Sequence, residues 1–288
     1  MTTLQSKKVS VIIPNYNYAR FMKKRIESVL GQTYPVYELI ILDDCSTDNS
    51  DKVIVSTIEK VQSKNPRTKI SYIKNEKNTG KAILQWKKGF ELAKGNYVWI
   101  AEADDLSNKH FLEEAMKGFE DRNVALSYTE SMVINGKGLM VVPNFRFSRD
   151  KEKSGHYKKS YIKNGEDEIK EIMAIRCTIP NVSAVVFRND KKILDYLDEA
   201  VKFKQVGDWY LYLKILEKGS ISYSRKSYNK FRVHGGSVTR KSRENRSHFD
   251  EIRQLHKMLK KQYELDEKIV GFMDEEEMRV SIEHGIMK

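Results

Sequence analysis

The chain has 288 residues, 40% hydrophobic and 10% aromatic, enough apolar material for one large core or two smaller ones, so a disordered chain is excluded as the leading reading. Lys and Arg outnumber Asp and Glu by 52 to 40, a formal charge of +12; this suggests an anionic partner, and nucleic acid, an anionic membrane surface and a phosphorylated small molecule all qualify. Cys45 and Cys177 are the only cysteines and lack metal-type spacing, which argues against a disulfide framework or structural zinc and for a reducing, cytoplasmic compartment.

In chain order, a β-branched run over residues 9–13 stopped by Pro14, and a second over 39–42 stopped by Asp43 and Asp44, suit buried parallel strands. Helical spacing over 20–30 ends at Gly31, and a helix over 49–61 follows the capping-type residues Ser46, Thr47 and Asp48. Then come a strand over 70–73, a helix over 81–93 closed by Gly95, and a strand over 97–101 that runs into Glu102, Asp104 and Asp105. The alternation predicts a doubly wound, mostly parallel sheet with flanking helices. In such sheets ligands gather outside the carboxyl ends of the strands, where the polar clusters of this chain fall.

Beyond a helix over 109–119, strand-like pieces flank Asn135-Gly136-Lys137-Gly138, a predicted hairpin turn, and the basic stretch 143–160 reads as a mobile loop. A strand over 183–187, a helix over 208–217 closed by Gly219 and a strand over 228–233 continue the domain. From Ser247 the chain turns helical and charged, with Ile252, Leu255, Met258 and Leu259 on one face, a tail that packs on the core or bridges to a partner. No apolar run of about 18 residues occurs, and no apolar segment precedes the first strand, so neither a membrane span nor an export signal is expected.

Four motifs carry chemistry. Residues 11–17 (VIIPNYN) open a buried strand into a loop where the Tyr16 ring can stack on a nucleobase; alternatively Asn17 caps the next helix and Tyr16 packs on the surface. Residues 40–50 (IILDDCSTDNS) put adjacent carboxylates at a strand end. Asp48 and Ser50 suit helix capping, whereas Asp43 and Asp44 repel each other unless a ligand, a donor or a cation compensates. Residues 97–105 (YVWIAEADD) end in hard oxygen ligands suited to Mg²⁺ or Mn²⁺, or in a solvated acidic turn. Residues 206–209 (VGDW) place Asp208 at a helix start, as a proton acceptor or as an ordinary N-cap.

The order of these motifs resembles the family 2 glycosyltransferases, densely over residues 8–130 and more thinly to 240. The resemblance implies a GT-A fold over 1–240, with a nucleotide-sugar-binding half (1–130), an acceptor or catalytic half (131–240) and a helical extension over 241–288. It implies that Pro14, Tyr16, Asn17 and Asp44 hold the nucleobase, that Asp104 contacts the ribose, and that Asp105 binds a divalent cation, Mn²⁺ or Mg²⁺. Glu102 stands where many relatives carry aspartate, which leaves the division of labour among Glu102, Asp104 and Asp105 open. In the loop 75–81, Gly80 and Lys81 resemble a family segment where a helix N-terminus and an ammonium meet phosphate. The segment 231–239 (FRVHGGSVT) resembles one that closes over the diphosphate, with His234 as a metal or phosphate contact, though a histidine in a glycine turn also has a structural reading.

Asp208 corresponds to the catalytic base of an inverting transfer. The expected activity moves a sugar from a nucleotide-diphosphate donor, UDP-linked by preference, to a hydroxyl of a glycan or lipid-linked acceptor in bacterial surface polysaccharide synthesis. A noncatalytic nucleotide-sugar or glycan-binding module of the same fold is the alternative. Lys and Arg are spread throughout without a nucleic-acid motif, so no nucleic-acid partner is expected; the charge fits peripheral attachment at the inner face of a membrane.

Overall fold

The computed structural model describes residues 7–63, 65–146, 155–235, 247–283 and 285. Strands β1 (Val9–Asn15), β2 (Glu38–Asp43) and β4 (Tyr97–Ile100) are buried at every position, while β3 (Lys69–Lys74) is the partly exposed edge. They lie parallel in the order β3-β2-β1-β4. Helices α1 (Ala19–Leu30), α2 (Ser50–Gln62) and α3 (Ala82–Leu92) make the crossovers.

Side chains of a strand alternate between faces, and each face here has its own core. Val9, Val11, Ile13, Leu39, Ile41 and Trp99 pack against Met22, Ile26 and Val29 of α1. On the opposite face Ile12, Ile40, Leu42, Val98 and Ile100 pack against Trp86 and Phe90 of α3. Both faces being covered is why these strands read as unbroken apolar runs.

The sheet continues as a mixed one. After the two-residue β5 (Leu106–Ser107) and α4 (Phe111–Gly118), β6 (Val124–Asn135) turns at Gly138, whose φ is +88°, into β7 (Met140–Val142), which is the expected hairpin. Next come β8 (Tyr161–Asn164) and α5 (Gly165–Glu168), the latter running into a π-helical turn over Ile169–Met173. Then follow β9 (Val185–Arg188), α6 (Lys192–Ala200), α7 (Gly207–Leu216) and β10 (Ser220–Val233). The full order is β3-β2-β1-β4-β9-β6-β10-β5, with β9 antiparallel to β4 and β6, and β10 parallel to β6.

Details depart from the sequence expectation. The strand expected over 183–187 begins as a 3-10 turn at Val182–Ala184, and the strand expected over 228–233 is the end of the 14-residue β10. The start of β10 escapes a hydrophobic pattern because its polar residues are paired. Ser224 donates to Glu114 at 2.8 Å and the Tyr223 hydroxyl to the buried Glu130 at 2.9 Å. Of the stretch expected as a mobile loop, residues 147–154 lie outside the described residues, and His156–Lys158 form a 3-10 turn.

Helices α8 (Ser247–Gln262) and α9 (Glu267–Glu283) lie on the main core, where Phe249, Ile252, Leu255 and Leu259 are buried. Among the described residues no helix is long and apolar enough to cross a membrane.

Candidate active site

The carboxyl ends of β1 and β2 are laced together by short polar bonds. Asp43, fully buried, accepts from Asn15 Nδ2 at 2.6 Å and from the Ser46 N–H at 2.7 Å. Asn17 adopts the left-handed conformation at φ 59°, which asparagine tolerates, and its Oδ1 receives the N–H groups of Thr47 at 2.8 Å and Asp48 at 3.2 Å. Asn17 therefore ties two loops together and does not cap α1, whose N-cap position is Tyr18 without a side-chain cap. Asp48 serves both neighbouring helices, taking the Ala19 N–H at 3.0 Å and the Ser50 N–H at 2.9 Å. Pro14 is buried within β1, and Tyr16 is 45% exposed at the rim, free to meet a planar ligand.

Asp44 is only 4% exposed, and protein donors surround it. Its carboxylate accepts from Asn75 Nδ2 at 2.8 Å, the Thr79 N–H at 3.0 Å, the Thr79 hydroxyl at 2.8 Å and Gln85 Nε2 at 2.9 Å. A carboxylate offers about four lone-pair positions, so this set fills it. Asp44 thus anchors the loop over 75–81 to the sheet. In that loop Gly80 has φ +72°, and Lys81 turns its ammonium to the Val201 carbonyl at 2.8 Å, tying the start of α3 to the segment after α6.

Beyond β4 lies the acidic loop. Glu102 accepts from the Trp86 indole at 2.7 Å, and its backbone N–H donates to Ser183 at 3.0 Å. Burial, then the neighbouring Asp104 charge, pushes its carboxyl up to about 8. Asp105, 2% exposed, points inward and accepts from the Arg232 N–H at 2.8 Å and from Asn181 Nδ2. Burial and Asp104 raise its affinity for a proton as well.

Asp104 turns the other way, to His234 Nε2 at 3.0 Å. The opposite ring nitrogen, Nδ1, faces Arg20 Nη2 at 3.1 Å. A guanidinium has no lone pair to offer, so Nδ1 is the acceptor and Nε2 carries a proton to Asp104. Tyr18 and Phe21 pack on the imidazole with ring centroids 5.8 and 5.1 Å away. The structure therefore pairs His234 with Asp104, the residue expected at the ribose, whereas Asp105, expected at the metal, is enclosed by protein donors.

Beneath this loop lies Arg25, fully buried, with none of its three guanidinium nitrogens hydrogen-bonded and the group 5.0 Å from the Trp99 ring centroid. Burial lowers its pKa to about 10, against the pull of the Asp105, Glu102 and Asp104 charges. It supplies fixed positive charge below an acidic cluster.

Asp208 lies in the first turn of α7, past the N-cap residue Val206, so it is not the helix cap. Its Oδ1 accepts from the Trp209 N–H at 2.8 Å, and burial pushes its carboxyl up to about 6. Helix α3 links it to the acidic loop. Ile83 packs under Gly207, and Trp86, one turn on, holds Glu102. The buried Tyr212 hydroxyl feels both carboxylates, Asp208 and Glu102, which add to desolvation in holding its proton.

Tyr18, Arg20, Arg25 and Asn181 were not singled out from sequence. Arg20 alone carried a signal: a cation in the first turn of α1 opposes the helix dipole and implies a partner elsewhere. Among the described residues no group of three or more His, Cys, Asp or Glu is arranged to hold a metal ion. Asp104 supplies a hard oxygen that suits Mn²⁺ or Mg²⁺ when diphosphate oxygens and water complete the shell, whereas both His234 nitrogens are engaged, by Arg20 and by Asp104, so the imidazole could join such a shell only by giving up its Nε2 proton.

Parallel strands with polar loops at their carboxyl ends, continued by a mixed sheet that returns a histidine to the acidic loop, make this a GT-A-type α/β protein. Residues 10–178 match the sequence profile of glycosyl transferase family 2, and the chain belongs to that family. Bacillus subtilis TuaG, named for teichuronic acid biosynthesis, is 37% identical over 121 residues, 42% of this chain and 45% of TuaG. The chain thus spans less than half the length of the curated relatives it matches first. Among solved structures, Staphylococcus aureus TarS 1–349 superposes with a TM-score of 0.66 at 20% identity, covering 97% of this chain and 74% of TarS 1–349. The mannosyltransferase PcManGT of Pyrobaculum calidifontis, in complex with GDP-Man and Mn²⁺, superposes with a TM-score of 0.64 at 15% identity, covering 98% and 73%.

Proposed function

We propose that the protein transfers a sugar from a nucleotide-diphosphate donor to a hydroxyl of a glycan or lipid-linked acceptor, with inversion at the anomeric carbon. The observation that carries this reading is the pairing of Asp104 with His234, which brings the end of β10 onto the acidic loop at the carboxyl end of β4. Tyr16 at the rim offers a face for the base, while Asp44 and Asn17 keep the loops beneath it rigid. Asp104 would hold a divalent cation, with His234 joining if its Nε2 gives up its proton, and that cation would supply the positive charge that offsets the departing diphosphate. Asp105 holds the acidic loop against β10 through the Arg232 N–H.

Asp208 takes the proton of the acceptor hydroxyl as that oxygen attacks, a role suited to a carboxyl raised toward neutrality. A UDP-linked donor is favoured, since TarS has been solved with UDP and with UDP-GlcNAc. The name of TuaG supports a place in cell-surface polysaccharide synthesis. The basic surface suits work at the inner face of a membrane, near a lipid-linked acceptor.

A thermal-shift screen of UDP-, GDP- and dTDP-sugars with Mn²⁺ tests the reading, because a ligand that binds only the folded state stabilises it by mass action. A shift with one nucleotide class, followed by hydrolysis of that donor, is expected. No shift with any of them would sink the proposal.

A further inference from the structure

We propose that Glu251, on the C-terminal helix α8, is a positioning residue for the Asp208 carboxylate; this rests on Asp208 being the base. Helix α7 begins without a cap of its own, since its N-cap position is Val206, which has no side-chain acceptor. Glu251 instead takes the backbone N–H groups of the segment that leads into the helix, up to the N-cap residue itself. Its Oε1 accepts the Lys204 N–H at 2.8 Å, and its Oε2 accepts the N–H groups of Gln205 at 2.8 Å and Val206 at 3.3 Å. Three consecutive backbone N–H groups converging on one carboxylate form an anion nest, here filled by a side chain of the same protein.

The geometry makes this more than ordinary packing. Asp208 accepts from the backbone N–H of Trp209, so its direction is set chiefly by the backbone that carries it. That backbone is gripped on both sides by α8. Glu251 holds the three residues before Gly207, and the His256 ring stands edge-on to Trp209 with centroids 5.9 Å apart.

The grip is itself anchored. His256 has one ring nitrogen 3.0 Å from the Ile175 carbonyl and the other 2.8 Å from Glu277 of α9. The Trp209 indole donates to the Met173 carbonyl at 3.0 Å. With Phe249, Ile252, Leu255 and Leu259 buried, α8 is a fixed platform, and Glu251 transmits that fixity to the turn bearing Asp208.

The test uses Glu251→Ala, Glu251→Gln, Asp208→Asn and the Glu251→Ala/Asp208→Asn double variant of the full chain. Turnover of UDP-N-acetylglucosamine and of GDP-mannose with Mn²⁺ is measured, and the faster donor is used throughout. Glu251→Ala is expected to lower kcat about 10- to 100-fold, with KM and UDP affinity within about two-fold of wild type. Glu251→Gln, which keeps an acceptor oxygen, should recover most of the loss. The double variant should be no slower than Asp208→Asn alone, since a residue acting through another adds nothing once that one is gone.

Losses that multiply in the double variant, or a change confined to KM, would overturn the proposal. An inactive Asp208→Asn beside a fully active Glu251→Ala removes this proposal alone; wild-type kcat in Asp208→Asn removes the base reading and this proposal with it. Amide hydrogen exchange over residues 204–210 needs no donor. Faster exchange in Glu251→Ala, restored in Glu251→Gln, supports the positioning role, and unchanged exchange overturns it.

Discussion

His234 and Asp104, 130 positions apart in the chain, meet with Nε2 3.0 Å from Oδ2, while Asp105 next door turns away into the protein. Two adjacent aspartates thus have opposite orientations, and their substitutions should have different signatures. Asp104→Ala is expected to abolish the Mn²⁺-dependent part of the thermal shift given by UDP, and to lower the unliganded melting temperature only by the loss of its one bond to the buried His234. Asp105→Ala should lower that unliganded temperature, because it strips the Arg232 N–H and Asn181 of a buried acceptor, at about 1–3 kcal/mol. Calorimetric scans of both variants, with and without UDP and Mn²⁺, check the split; identical profiles would refute it.

Asp44 gives a stability test. Asp44→Ala leaves Thr79 and the buried Gln85 without their acceptor, and a cost of about 2–4 kcal/mol is expected. Urea unfolding measures it. A change under about 0.5 kcal/mol, the usual range of surface substitutions, would show that the Asn75, Thr79 and Gln85 bonds contribute nothing net.

For Asp208 the sign follows from its raised pKa, from an ordinary 3.8 to about 6. The folded protein holds this proton more tightly than the unfolded chain, so stability is fully present at low pH and falls as pH rises through about 4 to 6. Asp208→Asn should therefore be more stable than wild type near pH 8 by about 2–3 kcal/mol, converging below about pH 4. Turnover runs the other way. The base must be ionised, so wild-type kcat is expected to fall as pH drops through about 6. Paired denaturation and rate profiles test both halves.

Gly207 packs where no side chain fits: a Cβ there would lie 2.7 Å from the Ala200 carbonyl oxygen and would strike Ile83. Gly207→Ala should destabilise by about 1–3 kcal/mol and, by moving the turn before Asp208, lower kcat about 10-fold or more. Normal turnover in a folded variant would show that α7 tolerates the shift.

Much of the first half was legible because β1, β2 and β4 are covered on both faces and therefore spell continuous apolar runs. The second half was harder to read. In β6, Thr129, Glu130 and Ser131 are fully buried, and only cross-strand and loop partners such as Tyr223 and Phe145 make that polarity affordable. Local pattern carries no trace of partners nearly a hundred residues away. The site shows the same limit: the repulsion between Asp43 and Asp44 signalled a need for donors, but not that Asn15, Asn75, Thr79 and Gln85 would meet it. Glu251 carried no signal at all, being one acid among many in a charged helical tail.

Strand β10 lies between β6 and β5, pairing Ser220 with Val124 and Asn229 with Ser107, so the interior of the sheet is finished by a late part of the chain. A nascent chain grows at roughly 5–20 residues per second, which puts on the order of 5–20 s between the synthesis of β6 and the arrival of its partner. During that interval β6 has an open edge able to pair with a strand of another molecule. Yield in the cell should therefore depend on translation speed and chaperone capacity more than the stability of the finished fold would suggest.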